Sequence, residues 1–253
     1  MGLVGNHVLL VDSMPQINLD QAIVQAARVS YSGAGTTKGR SDEGLLRYLM
    51  RHSHTTPFEM VEFKFYLKMP IFLARQHFRH RTASINEISA RYSEIPTEYF
   101  VPDAYRVQST VNKQSSEGTL DVSTDIQTES CKVAFSVYRT LLDKGCAREL
   151  ARCHLPQSTY TEFFWKINLH NLLHYLRLRL APDAQQEIRE YAQAIFERVE
   201  PLLPLTMKAF KDFKLDAIHL SGPEIESIRT GLPLKYPSEQ RELDEKKSIL
   251  NIV

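Results

Sequence analysis

The sequence is short of cysteine and of long apolar runs, and each shortage excludes a class of protein. Its three cysteines, Cys131, Cys146 and Cys153, are odd in number and form no CxxC pair. That pattern argues against a disulfide framework and against a cysteine zinc site, and it is typical of reduced thiols. No segment approaches the roughly 20 apolar residues that a membrane-spanning helix needs. The sequence therefore predicts a cytoplasmic protein with no membrane association.

An excess of either charge is also missing. Lysine and arginine together number 31 and aspartate and glutamate 30, which leaves a formal net charge of +1. A domain that binds nucleic acid usually carries a clear basic excess, so we predict no nucleic-acid partner, although a local basic site stays open. With 253 residues, of which 43% are hydrophobic, the chain can build one large domain or two small ones.

The sequence contains neither a complete phosphate loop nor a complete metal motif. Residues 32–44, SGAGTTKGRSDEG, resemble a phosphate loop, but Lys38 stands where that motif needs its second glycine. We interpret this segment as a surface loop. His170 and His174 have the i, i+4 spacing of a metal pair, yet no HExxH motif or third ligand accompanies them. We therefore predict no metal site.

What the sequence does contain is helical periodicity around a few strands. Residues 61–69 alternate apolar and polar side chains and predict a strand with one buried face, and residues 7–11 predict another. Because helices and strands do not alternate as βαβ units, we predict an α+β fold, with an antiparallel sheet flanked by several helices. Residues 1–232 form the predicted domain and residues 233–253 a charged tail. Helices are predicted at 19–29, 45–53, 71–81, about 125–144, 160–181, 184–199 and 206–213.

The predicted helix at 160–181 is apolar almost all the way round and should be largely buried. Buried polar side chains need partners. Asn168, Tyr175 and Arg179 fall close to one line of such a helix, because steps of seven and eleven residues nearly complete whole turns. The two histidines lie on another face, so we expect the helix to serve two ligands, or one ligand and a subunit contact. Capping-box patterns precede this helix and an earlier one, at Thr159 with Glu162 and at Thr124 with Gln127.

Residues 79–93, RHRTASINEISARYS, combine a basic block with short polar side chains. The planar fork of arginine suits phosphate groups, and two arginines together can hold those of a nucleotide. Ser84, Asn86 and Ser89 add donors and acceptors of the kind found where a loop wraps a ligand. A solvated basic face is the alternative for such a charge run. Because the block ends an apolar helix, we favour a binding site.

The positions RHRxxSxNxxSxRY, at residues 79–92, resemble the signature of the flavin-dependent thymidylate synthases. The resemblance extends to ARVSY at 27–31, HTTPFE at 54–59 and AQQEI at 184–188, and it covers most of residues 5–200. It implies a homotetramer in which FAD binds at sites built from several subunits and dUMP stacks on the flavin. It also implies that dUMP becomes dTMP, with 5,10-methylenetetrahydrofolate as carbon donor and NADPH as reductant, and without a cysteine nucleophile.

The resemblance also assigns site residues. For FAD it implies Ser30, His54, Thr56, Glu59, Arg79, His80, Arg81, Glu87, Asn168, His170 and His174. For dUMP it implies Gln76, Arg79, Glu87, Ser89, Ala90, Arg91, Arg152 and Arg179. Arg179 is the predicted catalytic residue, because a guanidinium held against the uracil ring could stabilise negative charge that builds there. The family often has arginine at the position of His170, some relatives have asparagine at that of His174, and Ala90 replaces a frequent glycine.

Several alternatives stay open. An RNA-binding module could use the basic block, and it would show a salt-sensitive affinity for polyanions. A flavoprotein scaffold without synthase activity is a second hypothesis, supported only by the departure at His170. Cys153 followed by His154 resembles the nucleophile region of the cysteine-dependent thymidylate synthases, but we interpret Cys153 as a small core residue. We assign Ser89 to the dUMP phosphate, because the sequence identifies no adjacent general base that would make it a nucleophile.

Overall fold

The computed structural model describes residues 7–29, 41–110 and 115–252, and within these ranges it confirms an α+β fold. The chain divides into two compact units, Met1–Phe210 and Lys211–Val253. The predicted division at residue 232, between a functional domain and a tail, stays a prediction.

Among the described residues, a four-stranded antiparallel sheet forms the centre of the first unit. Its strands are β1 (Val8–Met14), β2 (Glu62–Pro70), β6 (Tyr160–Asn168) and β3 (Ser84–Glu87), paired in that order. The predicted strands at 7–11 and 61–69 are confirmed. Phe63, Phe65 and Leu67 of β2 are fully buried on one face, as the alternation requires. Two further strands, β4 (Val107–Gln108) and β5 (Ser116–Glu117), form a short separate pair.

Eleven α-helices lie within the described ranges. Most predicted helices are confirmed with shifted ends; the helix predicted at 71–81 ends at His77. The capping box at Thr124 is wrong, because that residue precedes its helix without a side-chain cap bond. The bounds are α1 Leu19–Arg28, α2 Asp42–Arg51, α3 Thr56–Glu59, α4 Ile71–His77, α5 Asp125–Asp143, α6 Arg148–Ala151, α7 Leu169–Arg179, α8 Gln186–Val199, α9 Pro204–Phe210, α10 Gly222–Thr230 and α11 Pro237–Leu250.

The continuous helix predicted at 160–181 is wrong in its first half. Residues 160–168 form β6, which pairs residue by residue with β2 from Tyr160 opposite Pro70 to Asn168 opposite Glu62. The physical reason is an alternation of burial that the many apolar residues of this segment concealed. The side chains of residues 161, 163, 165 and 167 are buried, while their neighbours are partly or fully exposed. The predicted capping box at Thr159 fails with it.

α7 begins where β6 ends, without an intervening loop. The Asn168 side chain accepts a hydrogen bond from the Asn171 backbone N–H at 3.0 Å and so caps the helix. Because Asn168 is the cap, the predicted line through Asn168, Tyr175 and Arg179 is wrong for its first member. Tyr175 and Arg179, four residues apart, do share a helix face.

The second unit is helical. A π-helical turn at Lys211–Leu215 leads to α10 and α11. α10 carries a complete capping box, Ser221 with Glu224, and the Glu224 carboxylate also accepts from Lys246 of α11 at 2.6 Å. The segment predicted as a charged tail is therefore mostly α11. No helix in the described part of the chain is both long and apolar enough to cross a membrane.

Candidate functional site

A pocket of about 370 Å³ opens where the turn after α4 meets the β6–α7 junction. Its walls come from two sequence motifs that lie far apart, the basic block on one side and the end of β6 with α7 on the other. Its lining residues are Arg79, His80, Arg81, Thr82, Ile167, Asn171, His174, Leu178 and Arg179. The fold therefore brings together five predicted site residues: the basic block, His174 and Arg179. Sequence reasoning missed Thr82, Ile167, Asn171 and Leu178.

Arg179, at the end of α7, is fixed by two bonds to the opposite wall. Its Nε donates to His80 Nε2 at 3.0 Å and its Nη2 donates to the backbone carbonyl of Gln76 at 3.5 Å. Partial burial lowers the pKa of the Arg179 guanidinium from its ordinary value, but arginine stays charged near neutral pH. Because a guanidinium has five N–H donors, these two bonds leave others for a ligand in the pocket.

His80 is neutral in this setting. Burial, followed by the positive charge of Arg179 and by His174, lowers the pKa of His80 to about 4. The edge of the Tyr175 ring lies against the imidazole, with centroids 4.8 Å apart, and the His174 ring lies 6.0 Å away. The sequence analysis assigned His80 to the flavin and Arg179 to the pyrimidine. It did not predict that the two side chains contact each other.

Behind this wall lies a fully buried histidine that sequence reasoning also missed. His77 Nδ1 lies 3.2 Å from the Tyr175 hydroxyl, while its Nε2 finds no hydrogen-bond partner among the described residues. Burial, and then the charges of His80 and Arg179, lower the pKa of His77 to about 3, and burial raises the pKa of Tyr175. The Trp165 ring packs edge-on at 4.3 Å. The sequence offered little signal, because His77 is one of three polar residues, with Arg75 and Gln76, that end α4.

Several predicted FAD residues lie around the start of α7 rather than in the pocket lining. Asn168 caps α7, as described, and His170 occupies its first turn. His54, Thr56 and Glu59 are exposed in and just before α3, which packs against α7. Ser30 lies outside the described residues. The roles of these residues stay predictions.

The remaining predicted dUMP residues lie elsewhere. β3 runs antiparallel to β6, with Ser84 opposite Lys166 and Glu87 opposite Phe163. Glu87 is therefore four residues along β6 from Ile167 of the pocket, or about 13 Å at the usual strand rise. Its carboxylate accepts from the Thr161 hydroxyl at 2.6 Å.

Beyond Glu87 the chain turns at Ser89, whose hydroxyl accepts from the Arg91 backbone N–H at 3.3 Å. The Arg91 guanidinium pairs with Glu149 of α6 at 3.5 Å, and Arg152 follows α6 in an exposed 3₁₀ turn. We define the pocket group as Gln76, Arg79, His80, Arg81, His174 and Arg179. We define the outer group as Glu87, Ser89, Ala90, Arg91 and Arg152. None of the outer group is among the described residues that line the pocket.

The structure bears on the predictions about a metal site and about Cys153. The described residues hold no group of three or more His, Cys, Asp or Glu side chains arranged for a metal ion. The interpretation of Cys153 as a core residue is wrong, because the residue is exposed. Its Sγ lies 3.8 Å from the backbone carbonyl of Glu149 in its own turn, and none of the described pocket-lining residues is a cysteine.

Comparison with known proteins adds relatives that match most of the chain. The family model described as thymidylate synthase complementing protein matches residues 9–205. A flavin-dependent thymidylate synthase of Dictyostelium discoideum is 48% identical over 256 residues, which cover 96% of this chain and 84% of the relative. One of Thermus thermophilus is 54% identical over 224 residues, 88% of this chain and 82% of the relative.

Solved structures agree with the sequence relatives. The UMP/dUMP methylase PolB of Streptomyces cacaoi, bound with 5-Br dUMP, gives a TM-score of 0.74 at 38% identity, covering 82% of this chain and 95% of that one. The same protein bound with 5-Br UMP gives 0.71 at 39% identity, over 82% and 94%. The family model matches most of the chain, and the relatives are about half identical to it over most of their length. The chain therefore belongs to the flavin-dependent thymidylate synthases.

Proposed function

We propose that this flavin-dependent methyltransferase converts dUMP to dTMP, with 5,10-methylenetetrahydrofolate as carbon donor, NADPH as reductant, FAD as cofactor and no cysteine nucleophile. The observation that carries the proposal is Arg179, a guanidinium fixed on a pocket wall that also presents Arg79 and Arg81. The solved relatives bound with 5-Br UMP and 5-Br dUMP support a pyrimidine nucleotide as substrate. Three free cysteines support a reducing, cytoplasmic setting.

The pocket group fits a flavin dinucleotide by its chemistry. Arg79 and Arg81 are exposed guanidinium groups at the pocket, and paired forks of this kind suit a diphosphate. The Gln76 Oε1 atom is buried and finds no partner among the described residues; we keep Gln76 assigned to dUMP, whose N–H would satisfy it. A volume of about 370 Å³ is near the lower end of the roughly 300–1,000 Å³ of small-molecule sites. One chain therefore supports part of the cofactor site.

The reaction requires negative charge on the uracil ring when C5 attacks an electrophile. Arg179 can stabilise that charge without moving, because His80 and the Gln76 carbonyl already fix its guanidinium. It acts electrostatically and not as a base, since arginine does not give up its proton near neutral pH. When bound, FAD supplies the hydride that completes the methyl group. We assign the dUMP phosphate to Ser89, Arg91 and Arg152 of the outer group, whose hydroxyl and guanidinium groups suit an anion.

We further propose a homotetramer in which subunits share their ligand sites. Glu87 of the outer group pairs with β6 about 13 Å along the strand from Ile167, which lines the pocket. Because Arg91 does not line the pocket that holds Arg179, we propose that a dUMP with Arg179 at its ring and Arg91 at its phosphate takes one of them from a second copy. The His54, Thr56 and Glu59 side chains, exposed near α7, are available to a cofactor shared in the same way.

The test is dTMP formation from dUMP, methylenetetrahydrofolate and NADPH, with FAD supplied or stripped, in wild type and Cys153→Ser. We expect FAD-dependent product from both proteins at rates within about twofold, since Cys153 lies in the exposed turn and outside the pocket lining. Product lost only in Cys153→Ser would make that thiol the nucleophile. No product from folded, flavin-loaded wild type would favour a scaffold without synthase activity.

A further inference from the structure

The bond between Arg179 and His80 constrains the chemistry of the histidine. A guanidinium offers donors and no acceptor, so the 3.0 Å contact from Arg179 Nε requires a lone pair on His80 Nε2. The imidazole must then be neutral and must carry its proton on Nδ1. His80 is therefore an acceptor toward Arg179 and a donor at its other nitrogen.

The surroundings hold the imidazole in that state and orientation. The Tyr175 ring edge supports it at 4.8 Å, and the Tyr175 hydroxyl is itself tied to the buried His77 at 3.2 Å. Protonation of His80 would place two positive groups 3.0 Å apart in a partly buried wall, which is unfavourable in a low dielectric. The ring is thus held from behind by a side chain that is not itself exposed to the pocket.

We propose that His80 is a positioning residue for Arg179, in addition to any contact that it makes with the cofactor. The inference rests on the proposed function, in which Arg179 serves the pyrimidine ring and His80 the flavin. The hydrogen bond between Arg179 and His80 would then connect the flavin site with the pyrimidine site. Without the acceptor at His80 Nε2, the Arg179 guanidinium keeps only the 3.5 Å bond to the Gln76 carbonyl. The Arg179 side chain can then adopt other rotamers in the pocket.

A role limited to cofactor binding predicts something different. If His80 only binds FAD, a variant loses FAD affinity and recovers its full kcat once FAD is saturating. If His80 positions Arg179, kcat stays low at saturating FAD and dUMP, because the group that acts on the transition state is no longer fixed. The split between FAD affinity and kcat therefore separates the two roles.

Two amide variants match in chemistry and differ in reach. In His80→Gln the side-chain oxygen can occupy the place of Nε2 and accept from Arg179; in His80→Asn the amide ends one carbon short. We expect His80→Gln to keep kcat within about threefold of wild type and His80→Asn to lose about ten- to a hundredfold at saturating FAD, the range for a hydrogen bond to a charged group. Equal kcat values for the two variants at saturating FAD would overturn the proposal.

His7→Asn is a matched control. His7 is partly buried, its pKa is also lowered mainly by burial, and its ring packs edge-on against Tyr160 at 5.3 Å. His7 does not line the pocket, so we expect the kcat of His7→Asn to stay within about twofold of the wild-type value. A loss in His7→Asn as large as that in His80→Asn would mean that the effect is one of general stability, and would also overturn the proposal.

A second readout does not depend on turnover. In ligand-free enzyme labelled with isotopic nitrogen in arginine, the Nε–H resonance of Arg179, identified by its loss in Arg179→Lys, should be protected from solvent exchange. We expect protection in wild type and in His80→Gln, and rapid exchange in His80→Asn. Rapid exchange in wild type would overturn the positioning role. Protection that depends on His80 in a wild type that forms no dTMP would support the pairing while refuting the proposed function.

Discussion

Arg179 and Arg91 are both predicted to bind dUMP, and the structure holds them in different ways. Arg179 is partly buried and bonded to His80 and to the Gln76 carbonyl. Arg91 is 55% exposed and pairs at 3.5 Å with Glu149, which is 56% exposed. Exposed ion pairs contribute little to stability, so Arg91 can leave Glu149 for a phosphate at small cost. The difference supports the proposal that Arg179 is fixed for chemistry and that Arg91 adapts to bind.

The largest effect should come from the fixed arginine. Arg179→Ala removes a positioned charge, and we expect kcat to fall about 10²- to 10³-fold while the KM for dUMP changes less than about tenfold. Steady-state dTMP formation at saturating co-substrates measures both. Arg177→Ala is the control, since Arg177 is exposed on the same helix and should keep its kcat. A change confined to KM would contradict a fixed catalytic arginine.

The buried histidine behind the pocket group should make the folded state acid-sensitive. Because the pKa of His77 is about 3 when folded and ordinarily 6.5, the unfolded chain takes up its proton first as pH falls. The contribution of neutral His77 is therefore complete above about pH 6.5 and is lost as pH drops toward 3. Between pH 7.5 and 4.5 we expect it to lower the free energy of unfolding by about 2–3 kcal/mol.

Urea denaturation at the two pH values tests this contribution. His77→Leu should show a smaller acid loss than wild type by that amount, whereas the exposed His154→Leu should show the wild-type loss. Equal acid losses in wild type and His77→Leu would contradict the burial of a neutral histidine.

Loss of the adaptable arginine should affect binding alone. In Arg91→Ala we expect the KM for dUMP to rise about tenfold, with the free energy of unfolding changed by less than about 0.5 kcal/mol. Arg148→Ala breaks a similar exposed pair, with Glu94 at 3.6 Å, and should leave KM within about twofold. In Ser89→Ala, abolished turnover with unchanged dUMP affinity and flavin reduction would refute the assignment of Ser89 to the phosphate.

Mixing subunits should give the smallest signal and the sharpest test of sharing. If one dUMP site takes Arg179 and Arg91 from different copies, co-refolded Arg179→Ala and Arg91→Ala chains should form some sites that carry both wild-type arginines. With random assembly of equal amounts of the two chains, roughly a quarter of the sites carry both wild-type arginines. Activity of the mixture no higher than the mean of its two parents would place both arginines in one chain and contradict the shared site.

The sequence predicted the pocket's parts better than their arrangement. The alternation at 61–69 identified β2, because one face of that strand is core and the other is not. The same alternation was hidden in β6 by the exposed Phe164, which resembles a core residue in a run of apolar letters. Motif resemblance named Arg179 and Arg91 together, but only the structure shows that Arg179 lines the pocket and that Arg91 pairs with Glu149 outside its lining. His77 was missed because burial of a polar residue follows from tertiary packing.

The direct passage from β6 into α7 at Asn168 has a consequence for how this region can vary. Asn168 is the last residue of the strand and the cap of the helix, so no spacer is available to absorb a change in length. One added residue at this junction would turn every later side chain of α7 by about 100° around the helix axis. Arg179 would then point away from His80. Surface loops tolerate insertions and deletions, whereas here the number of residues matters as much as their identity.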